Sequence, residues 1–549
     1  MTIVQKKTSV LQKMCVAVLM TTTALTAVPA MAAESASELE RKLRALQTQL
    51  DSLQGVKDEL RLVQQQLDAM KAAEAATKDA VAKEQATREA ADMKARQRAL
   101  DAGATVVMEN GVAEIVPPPA PDGGVMNKNI KITFGGFIEA AAIYRSKNQS
   151  ADVGSSFNGG IPFGNSPNAH VGEFRGTARQ SRLSILAQGN FDKNTALAAY
   201  YEMDFLGGAP TANSNQTNSY NPRIRNIYAT LDRNDLGFHM LAGQNWSLLT
   251  LNRTGIIPRN EVAPAGIEAQ YVVGFNFTRS PQIRLVKDWD KEFWFAISAE
   301  SPQAQVAQST VPTGTIVNNP GTGQLGTGGT FTLDVAPDMI AKFAMDPGWG
   351  HYELFGVSRW FRSEVNYASM TTNGLGVGGS ALLPVLPKTL DFQASFMYGK
   401  GMGRYGAGQL ADVTTDNTGR LVTLPYVSAL LGLVAHPTAD IDLYAYAGTE
   451  QLEKRYVSVG GVNYGYGNPA GTNNTGCMVN GGTCNGNTAR EYELTGGFWY
   501  KFYQGKMGMM EFGVQDEWVK RYIFAANSAA GGPSTDANIA MFSLRYYPF

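Results

Sequence analysis

Hydrophobic residues recur with two different periods along the chain, and each period predicts a different element. Near the start, leucines recur every seventh residue, and further leucines lie four residues after the first two of them. Such heptads are typical of helices that associate along a shared seam. We therefore predict an α-helical coiled coil, and the alternative is a single amphipathic helix lying on another surface. The seam positions are Leu39, Leu43, Leu46, Leu50, Leu53, Leu60 and Leu67.

From residue 130 onward the period becomes two. In IKITFGGFIEAAAIYR (130–145) apolar residues mostly take one parity and polar residues the other, and the alternation recurs at 197–205, 292–300 and 390–398. A period of two indicates β-strands with one apolar and one polar face. Loops rich in glycine and asparagine alternate with short connectors between these strands.

Two architectures explain strands of this kind. In a soluble β-sandwich the apolar faces pack against each other, whereas in a transmembrane barrel they face lipid and the polar faces line a lumen. The alternation of long and short loops and the aromatic residues near strand ends favour the barrel. Residues 130–549 allow about 16 strands, the size that leaves an aqueous channel. We predict an all-β, antiparallel transmembrane barrel preceded by the coiled coil.

The chain ends on SLRYYPF (543–549), inside a predicted strand. A barrel in lipid has to close, so its last strand must pair with its first. The terminal Phe549 resembles the assembly signal of bacterial outer-membrane proteins, which implies recognition by the barrel assembly machinery. Arg545 interrupts the apolar parity, and we expect a bulge or Pro548 to reset the register there.

The first 33 residues indicate export. Lys6, Lys7 and Lys13 precede a short apolar core, and small residues for cleavage lie between Ala30 and Ala33, as in a secretory signal peptide. The predicted organisation is a signal peptide at 1–33, a helical coiled-coil segment at 34–115, a Pro/Gly-rich linker at 116–129 and the barrel at 130–549. The formal net charge of −1 gives no general affinity for nucleic acid.

Candidate chemistry is sparse. Cys477 and Cys484 lie in a Gly/Asn-rich stretch, which in an exported protein predicts a small disulfide-closed loop. The four histidines are dispersed, and no hydrolase, protease, phosphate-loop or paired-cysteine motif is found in the sequence. We therefore predict no enzyme, no metal site and no cofactor.

Charged residues of the polar parity are the candidates for a channel lining. Arginine presents several donors to carboxylates, so a group of arginines in a narrow lumen would concentrate anions. The alternative is that these arginines pair with carboxylates of the wall, among them Asp204. The candidates are Arg179, Arg182, Arg223, Arg225, Arg284, Arg359, Glu139 and Glu202.

Five stretches resemble successive strands of the DcaP-like porins of Gram-negative bacteria. They are TARQSRLSI (177–185), YYEMDF (200–205), NSYNPRIRNIYA (218–229), LAGQNWS (241–247) and SPQIRLV (280–286). The resemblance implies a homotrimer in the outer membrane, in contact with lipid and lipopolysaccharide, whose periplasmic coil trimerises. It also implies uptake of small organic anions such as dicarboxylates and aromatic carboxylates. The matching basic residues of the pore lining are Arg179, Arg182, Arg223 and Arg225.

Other functions stay open at this point. The coil could tether the outer membrane to peptidoglycan, the long loops could mediate adhesion, or the channel could be a general or phosphate-type porin. Pore width depends on loops that fold into the lumen, and the sequence offers 147–170 and 303–330 as candidates.

Overall fold

The computed structural model divides the chain into two units, Met1–Pro118 and Pro119–Phe549. Their boundary falls inside the predicted linker. The structure describes these residues of the second unit: 125–127, 130–208, 215, 220–268, 270–307, 310–318, 332–526 and 532–549. In the first unit it describes 38, 40–48, 61, 62, 64, 65, 68, 70, 71, 105–109 and 112–116. The predicted signal peptide lies outside the described residues.

The first unit contains a helical stretch and a hairpin. Residues 40–48 are helical, and the side chains of Leu43 and Leu46 are exposed. The other five seam leucines lie outside the described residues. Thr105–Glu109 and Val112–Val116 pair as a two-stranded antiparallel sheet. The helical segment that we predicted up to residue 115 therefore ends before Thr105, where β-branched residues dominate the sequence.

The second unit is a closed antiparallel barrel of sixteen strands within the described residues. The fold class predicted from the period of two is confirmed. The strands are β1 (Ile130–Arg145), β2 (Arg182–Asn190), β3 (Thr195–Asp204), β4 (Arg223–Arg233), β5 (Phe238–Trp246), β6 (Arg279–Trp289), β7 (Phe293–Glu300), β8 (Asp338–Met345), β9 (His351–Val365), β10 (Ala368–Leu386), β11 (Leu390–Lys400), β12 (Pro425–Thr438), β13 (Ile441–Leu452), β14 (Thr488–Gly505), β15 (Gly508–Ile523) and β16 (Ser534–Tyr547).

Short strands extend this wall or lie in its loops. Val125–Asn127 and Glu173–Thr177 pair with β1, and Thr315–Ile316 pairs with β9. Two small hairpins lie in the loops. They are formed by Val413–Thr415 with Leu421–Thr423, and by Arg455–Val459 with Val462–Tyr466.

The last strand closes the barrel. β16 pairs with β1 from Ile539 opposite Arg145 to Tyr546 opposite Ile138. Its register with β15 runs without a bulge, so the expected reset is wrong. The basic residue that interrupts the apolar parity belongs to the inner face: the Arg545 Nε donates to Glu139 Oε1 at 2.9 Å.

The two ends of the barrel differ. At one end, consecutive strands are joined by turns of two to five residues, as between β2 and β3 or β14 and β15. At the other end lie the long loops, which is the arrangement of outer-membrane barrels with short periplasmic turns. Among the described residues, no helix has the length and apolar character needed to cross a membrane.

The two faces of each strand have opposite chemistry. In β7, Phe293, Phe295 and Ile297 are exposed on the outer surface, whereas Trp294 and Ser298 are buried inside. Comparable apolar rows are exposed on β8, β11 and β12. Because the apolar faces point outward, the soluble sandwich is excluded, and the outer surface is a lipid-facing belt.

Candidate functional site

A long loop, residues 247–278 between β5 and β6, enters the lumen and is held by the opposite wall. The backbone N–H of Ala265 donates to Tyr446 Oη at 2.9 Å. The N–H groups of Val273 and Gly274 donate to Glu493 and Glu450, each at 2.8 Å. Gly274 has φ +89°, and a Cβ there would collide with the Ala429 carbonyl oxygen, so the close approach to β12 needs glycine. This loop crosses and narrows the lumen.

The first part of the same loop is anchored on β8 and β9. Lys342 Nζ donates to the Thr250 carbonyl oxygen and to Glu353 Oε2, both at 2.8 Å. The other oxygen of Glu353 accepts from the Asn252 N–H at 3.0 Å. His351 lies between Glu353 and Asp346, at 3.1 Å and 2.7 Å. A buried network of charges therefore fixes the start of the loop.

Other loops also fill the lumen. In the segment between β1 and β2, Val153, Phe157 and Ile161 are buried and pack in one cluster with Val272 and Phe275 of the long loop. Part of the segment that we named as 147–170 therefore does reach the interior. Of the other candidate, 303–330, residues 308–309 and 319–330 lie outside the described part of the chain.

Three arginines act on one phenol of the long loop, and a fourth is linked to them through a carboxylate. Arg182 Nη2 and Arg225 Nη2 lie 3.3 Å and 3.4 Å from Tyr271 Oη. Arg279 stacks over the Trp246 ring, 4.9 Å from its centroid, and Trp246 in turn contacts Tyr271 edge-on. Arg223, the fourth member, shares a carboxylate with Arg225. We call Arg182, Arg223, Arg225 and Arg279 the basic cluster.

Two carboxylates of β3 neutralise part of this cluster. Asp204 accepts two hydrogen bonds from Arg223, at 3.0 Å and 2.7 Å, and one from Arg225 Nη1 at 2.9 Å. Glu202 pairs with Arg225 Nε. Four guanidinium groups therefore face two carboxylates, which leaves a formal excess of two positive charges in the basic cluster while Tyr271 is neutral.

The basic cluster retains free donors beside a cavity. Arg182 Nε and Arg279 Nη1 are buried and have no hydrogen-bond partner among the described residues. A cavity of about 210 Å³ is lined by Arg182, Arg225 and Tyr271 among others, and Arg279 contacts it only through the Trp246 ring on which it stacks. Arg259 and Glu261 also line it, and their charges offset each other. Buried donors without partners are costly, so this site favours an acceptor, most of all an anionic one.

The surroundings of Tyr271 change its acidity. Burial by itself would raise the pKa of this phenol, but the positive charges of Arg182, Arg225 and Arg279 outweigh burial and lower the pKa to about 7. The phenol thus titrates near neutral pH, inside the basic cluster.

The structure brings some of the predicted lining residues together and separates others. Arg182, Arg225 and Glu202 meet at the cavity beside Tyr271, and Arg223 is linked to Arg225 through Asp204. Arg179 lies apart, paired with Asp152 and stacked 3.1 Å from the centroid of the Tyr220 ring.

Three predicted lining residues face inward but do not line open space. Arg284 is 1% exposed and donates to Gln282 Oε1 at 3.0 Å and to the Trp246 carbonyl oxygen at 2.7 Å. Arg359 is held by Asp338 and Asp412, at 3.1 Å and 2.7 Å. Glu139 pairs with Arg545 as described above. Arg359 and Glu139 pair with groups of opposite charge, as the alternative states, whereas Arg284 is held by an amide and a backbone carbonyl oxygen.

Tyr271 and Arg279 were missed by the sequence reasoning. The loop that contains Tyr271 and ends just before Arg279 does carry a signal: SLLTLNRTGIIPRNEVAPAGIEAQYVVGFNFT (247–278) is rich in apolar residues but has no period of two, and it contains two prolines. An apolar segment between two strands that is not itself a strand indicates a buried loop.

The cysteines and histidines have structural partners. Cys477 and Cys484 form a disulfide with an S–S distance of 2.05 Å. Three histidines contact carboxylates: His351 as described, His239 between Asp232 and Asp288, and His436 beside Asp442. In the described part of the chain, no group of His, Cys, Asp and Glu has the arrangement of a metal site.

The chain matches known proteins in structure but not in sequence. No protein-family model matches it, and no curated protein matches it significantly. The outer membrane channel DcaP of Acinetobacter baumannii superposes with a TM-score of 0.54 at 18% identity, covering 77% of this chain and 99% of that one. An anion-selective porin from Comamonas acidovorans matches at 10% identity and TM-score 0.43, covering 76% and 99%. OmpF of Salmonella typhi, in complex with daunomycin, matches at 9% identity and TM-score 0.44, covering 77% and 100%.

The closed sixteen-strand wall and its lipid-facing belt define a transmembrane β-barrel with the fold of porins. The DcaP channel has the same fold, so the resemblance noted in the sequence is confirmed for the architecture of the barrel. The other two TM-scores are too low to add to this argument.

Proposed function

We propose that the protein is a diffusion channel for small organic anions, such as dicarboxylates or aromatic carboxylates. The observation that supports this proposal is the basic cluster, with its formal excess of positive charge and the unpartnered Nε of Arg182, a residue that lines the cavity. The name of one structural match, an anion-selective porin, agrees with the proposal without supporting it, because that likeness is weak.

The basic cluster would act on a solute by replacing part of its hydration shell. A carboxylate that enters the cavity accepts from Arg182 Nε, which otherwise lacks an acceptor, while Arg279, stacked on Trp246, adds positive charge. Arg225 is held by Glu202 and Asp204, so it contributes charge rather than free donors. The acidic partners weaken the attraction, and this favours release, because a channel solute must bind weakly enough to leave.

Aromatic carboxylates suit the same cavity. Trp246 lines it, and the rings of Tyr271, Phe275 and Phe277 lie 5.9–6.1 Å from Trp246, centroid to centroid. An apolar ring surface next to cationic donors matches a solute that has an aromatic ring and a carboxylate.

Ion selectivity tests the proposal. Purified protein in planar bilayers under a KCl gradient should show a reversal potential of the sign that chloride preference gives. Arg182→Gln removes one lumen charge, and we expect a roughly three- to fivefold lower chloride-to-potassium permeability ratio, since one charge close to the ion path contributes on the order of 1 kcal/mol in a hydrated site.

The matched control is Arg233→Gln. Arg233 lies at the short-turn end of β4, partly exposed and paired with Asp235, so its substitution removes the same charge outside the basic cluster. The permeability ratio should stay near that of the parent. Cation preference in the parent, or equal effects of the two substitutions, would refute anion selectivity.

A further inference from the structure

The outer surface of the barrel contains an apolar groove across β8 to β12, with a volume of about 560 Å³. Small outward residues form its floor: Gly379 and Ala381 on β10, Ala394 on β11 and Ala429 on β12. Leu354 and Phe396 are the walls, and both stay exposed, at 68% and 51%.

The strand register explains the shape of the groove. Gly379 lies directly between Leu354 of β9 and Phe396 of β11, and Ala381 lies beside Ala394. A Cβ on Gly379 would meet the Glu353 carbonyl oxygen at 2.7 Å and Leu354 Cδ2 at 3.0 Å. Two large side chains thus stand on either side of a floor with almost no side chain.

The groove lies at the depth of the lipid hydrocarbon. Ala394, Phe396, Tyr398 and Lys400 share the outward parity of β11, and the strand runs from the short-turn end towards the long-loop end. Six residues separate Ala394 from Lys400, which is roughly 20 Å along a strand and about 15 Å along the membrane normal at the usual tilt. Lys400 therefore lies at the outer edge of the apolar belt, next to the half-exposed ring of Tyr398.

Lys400 is the free cation at that edge. Its side chain is exposed and has no ion-pair partner among the described residues. Two other cations already have acceptors. Arg420 donates to the Thr371 carbonyl oxygen, and Arg362 donates to the Asp334 carbonyl oxygen. Glu364 of β9 pairs with Ser369, six positions along β10 from Leu375, the partner of Lys400, and Asp416 accepts from the backbone of its own turn. A cation without a partner, above an apolar groove, matches the two parts of an anionic lipid.

We propose that the groove and Lys400 form a binding site for an anionic lipid of the outer leaflet. One acyl chain lies over Gly379, Ala381 and Ala394, and a phosphate of the headgroup pairs with Lys400. The occupant is a lipid rather than a second copy of the chain, because the groove is continuous with the lipid-facing belt and the charge at its edge complements an anionic headgroup.

Native mass spectrometry of the full-length protein in detergent tests this site. The protein is titrated with diphosphorylated lipid A, and in parallel with the zwitterionic phosphatidylcholine. Ala394→Phe fills the groove from the lipid side, and we expect about tenfold weaker lipid A binding, because an acyl chain can then no longer lie against the apolar floor. Lys400→Gln should lower lipid A affinity and leave phosphatidylcholine binding unchanged.

Ala445→Phe is the matched control, since Ala445 is exposed on the same belt, on β13, outside the groove. It should bind lipid A as the parent does, and heat-modifiable migration on gels checks that each variant is folded. The proposal is overturned if the parent prefers neither lipid, if Ala394→Phe and Ala445→Phe behave alike, or if Ala394→Phe changes the oligomeric state instead. Anion selectivity in bilayers is measured separately, so the two proposals fail independently.

Discussion

Tyr271 links the charge of the proposed constriction to pH. Below a pH of about 7 the phenol is neutral, and the basic cluster has a formal excess of two positive charges over Glu202 and Asp204. Above that pH the phenol is ionised and the excess falls to one. Because the lowered pKa arises from neighbouring arginines, the same arginines lose attraction for a solute anion when Tyr271 ionises.

Anion preference should therefore fall as pH rises. In the parent, we expect the chloride-to-potassium permeability ratio to decrease from about pH 6 to about pH 8, and in Tyr271→Phe to stay level over the same interval. Reversal potentials at several pH values provide the measurement. Tyr398→Phe, on the outer surface, is the control and should titrate like the parent. A flat profile in the parent would show that Tyr271 keeps its proton throughout.

The long loop is held in the lumen by contacts of unequal strength. Lys342 and Glu353 are both 0% exposed and bind the segment from Thr250 to Asn252. Arg253 of the same loop pairs with Asp391 at 3.3 Å, but its side chain is 61% exposed. Removing one partner of a buried pair costs about 3–5 kcal/mol, whereas a surface pair contributes roughly 0–1 kcal/mol.

Glu353→Gln should loosen the start of the loop. It leaves Lys342 buried without a counter-charge, so we expect a lower unfolding temperature on heated gels and a larger, noisier single-channel conductance. Asp391→Asn removes one carboxylate charge from the exposed pair and should change neither measurement appreciably. Equal conductance in the two variants would mean that other contacts, such as those of Val273 and Gly274, hold the loop alone.

The predicted assembly of the protein involves a segment distinct from the barrel wall. Leu43 and Leu46 are exposed in the single chain, although both belong to the predicted seam. Leucines at heptad spacing are stabilised when they are buried against partner helices. The homotrimer and the periplasmic position of the coil remain predictions.

Substitution of the seam tests the trimer. Leu43→Asp combined with Leu46→Asp should weaken trimerisation, measured as the mass of the detergent-solubilised protein, because charges at seam positions are not tolerated in a buried interface. Thr48→Asp, on the side of the same helix that faces away from the seam, should not change the mass. A second experiment deletes residues 35–115. If the protein is a channel, the shortened protein should still conduct ions in planar bilayers. If conductance is lost, the barrel does not conduct by itself.

Much of the architecture was predictable because it depends on local patterns. The alternation in 130–145 and 292–300 assigns outward and inward faces residue by residue, since side chains of a strand alternate. The final strand allowed us to predict that the barrel closes by pairing this strand with the first, because an open sheet edge is excluded in lipid. The error at Arg545 came from expecting one outward face there, although the residue simply faces Glu139 inside the lumen.

The candidate site depended on contacts between residues far apart in the chain. Val273 meets Glu493, and Arg359 meets Asp412, and no periodicity predicts such pairs. Which arginine is neutralised and which keeps free donors follows from how the loops fill the lumen. The amino-acid order alone therefore specified the strands, their inward and outward faces and the closure of the barrel. Only the folded chain decided that the 247–278 loop narrows the channel and places Tyr271 among arginines. The balance of charges around Tyr271 arises only when segments distant in sequence share one low-dielectric interior.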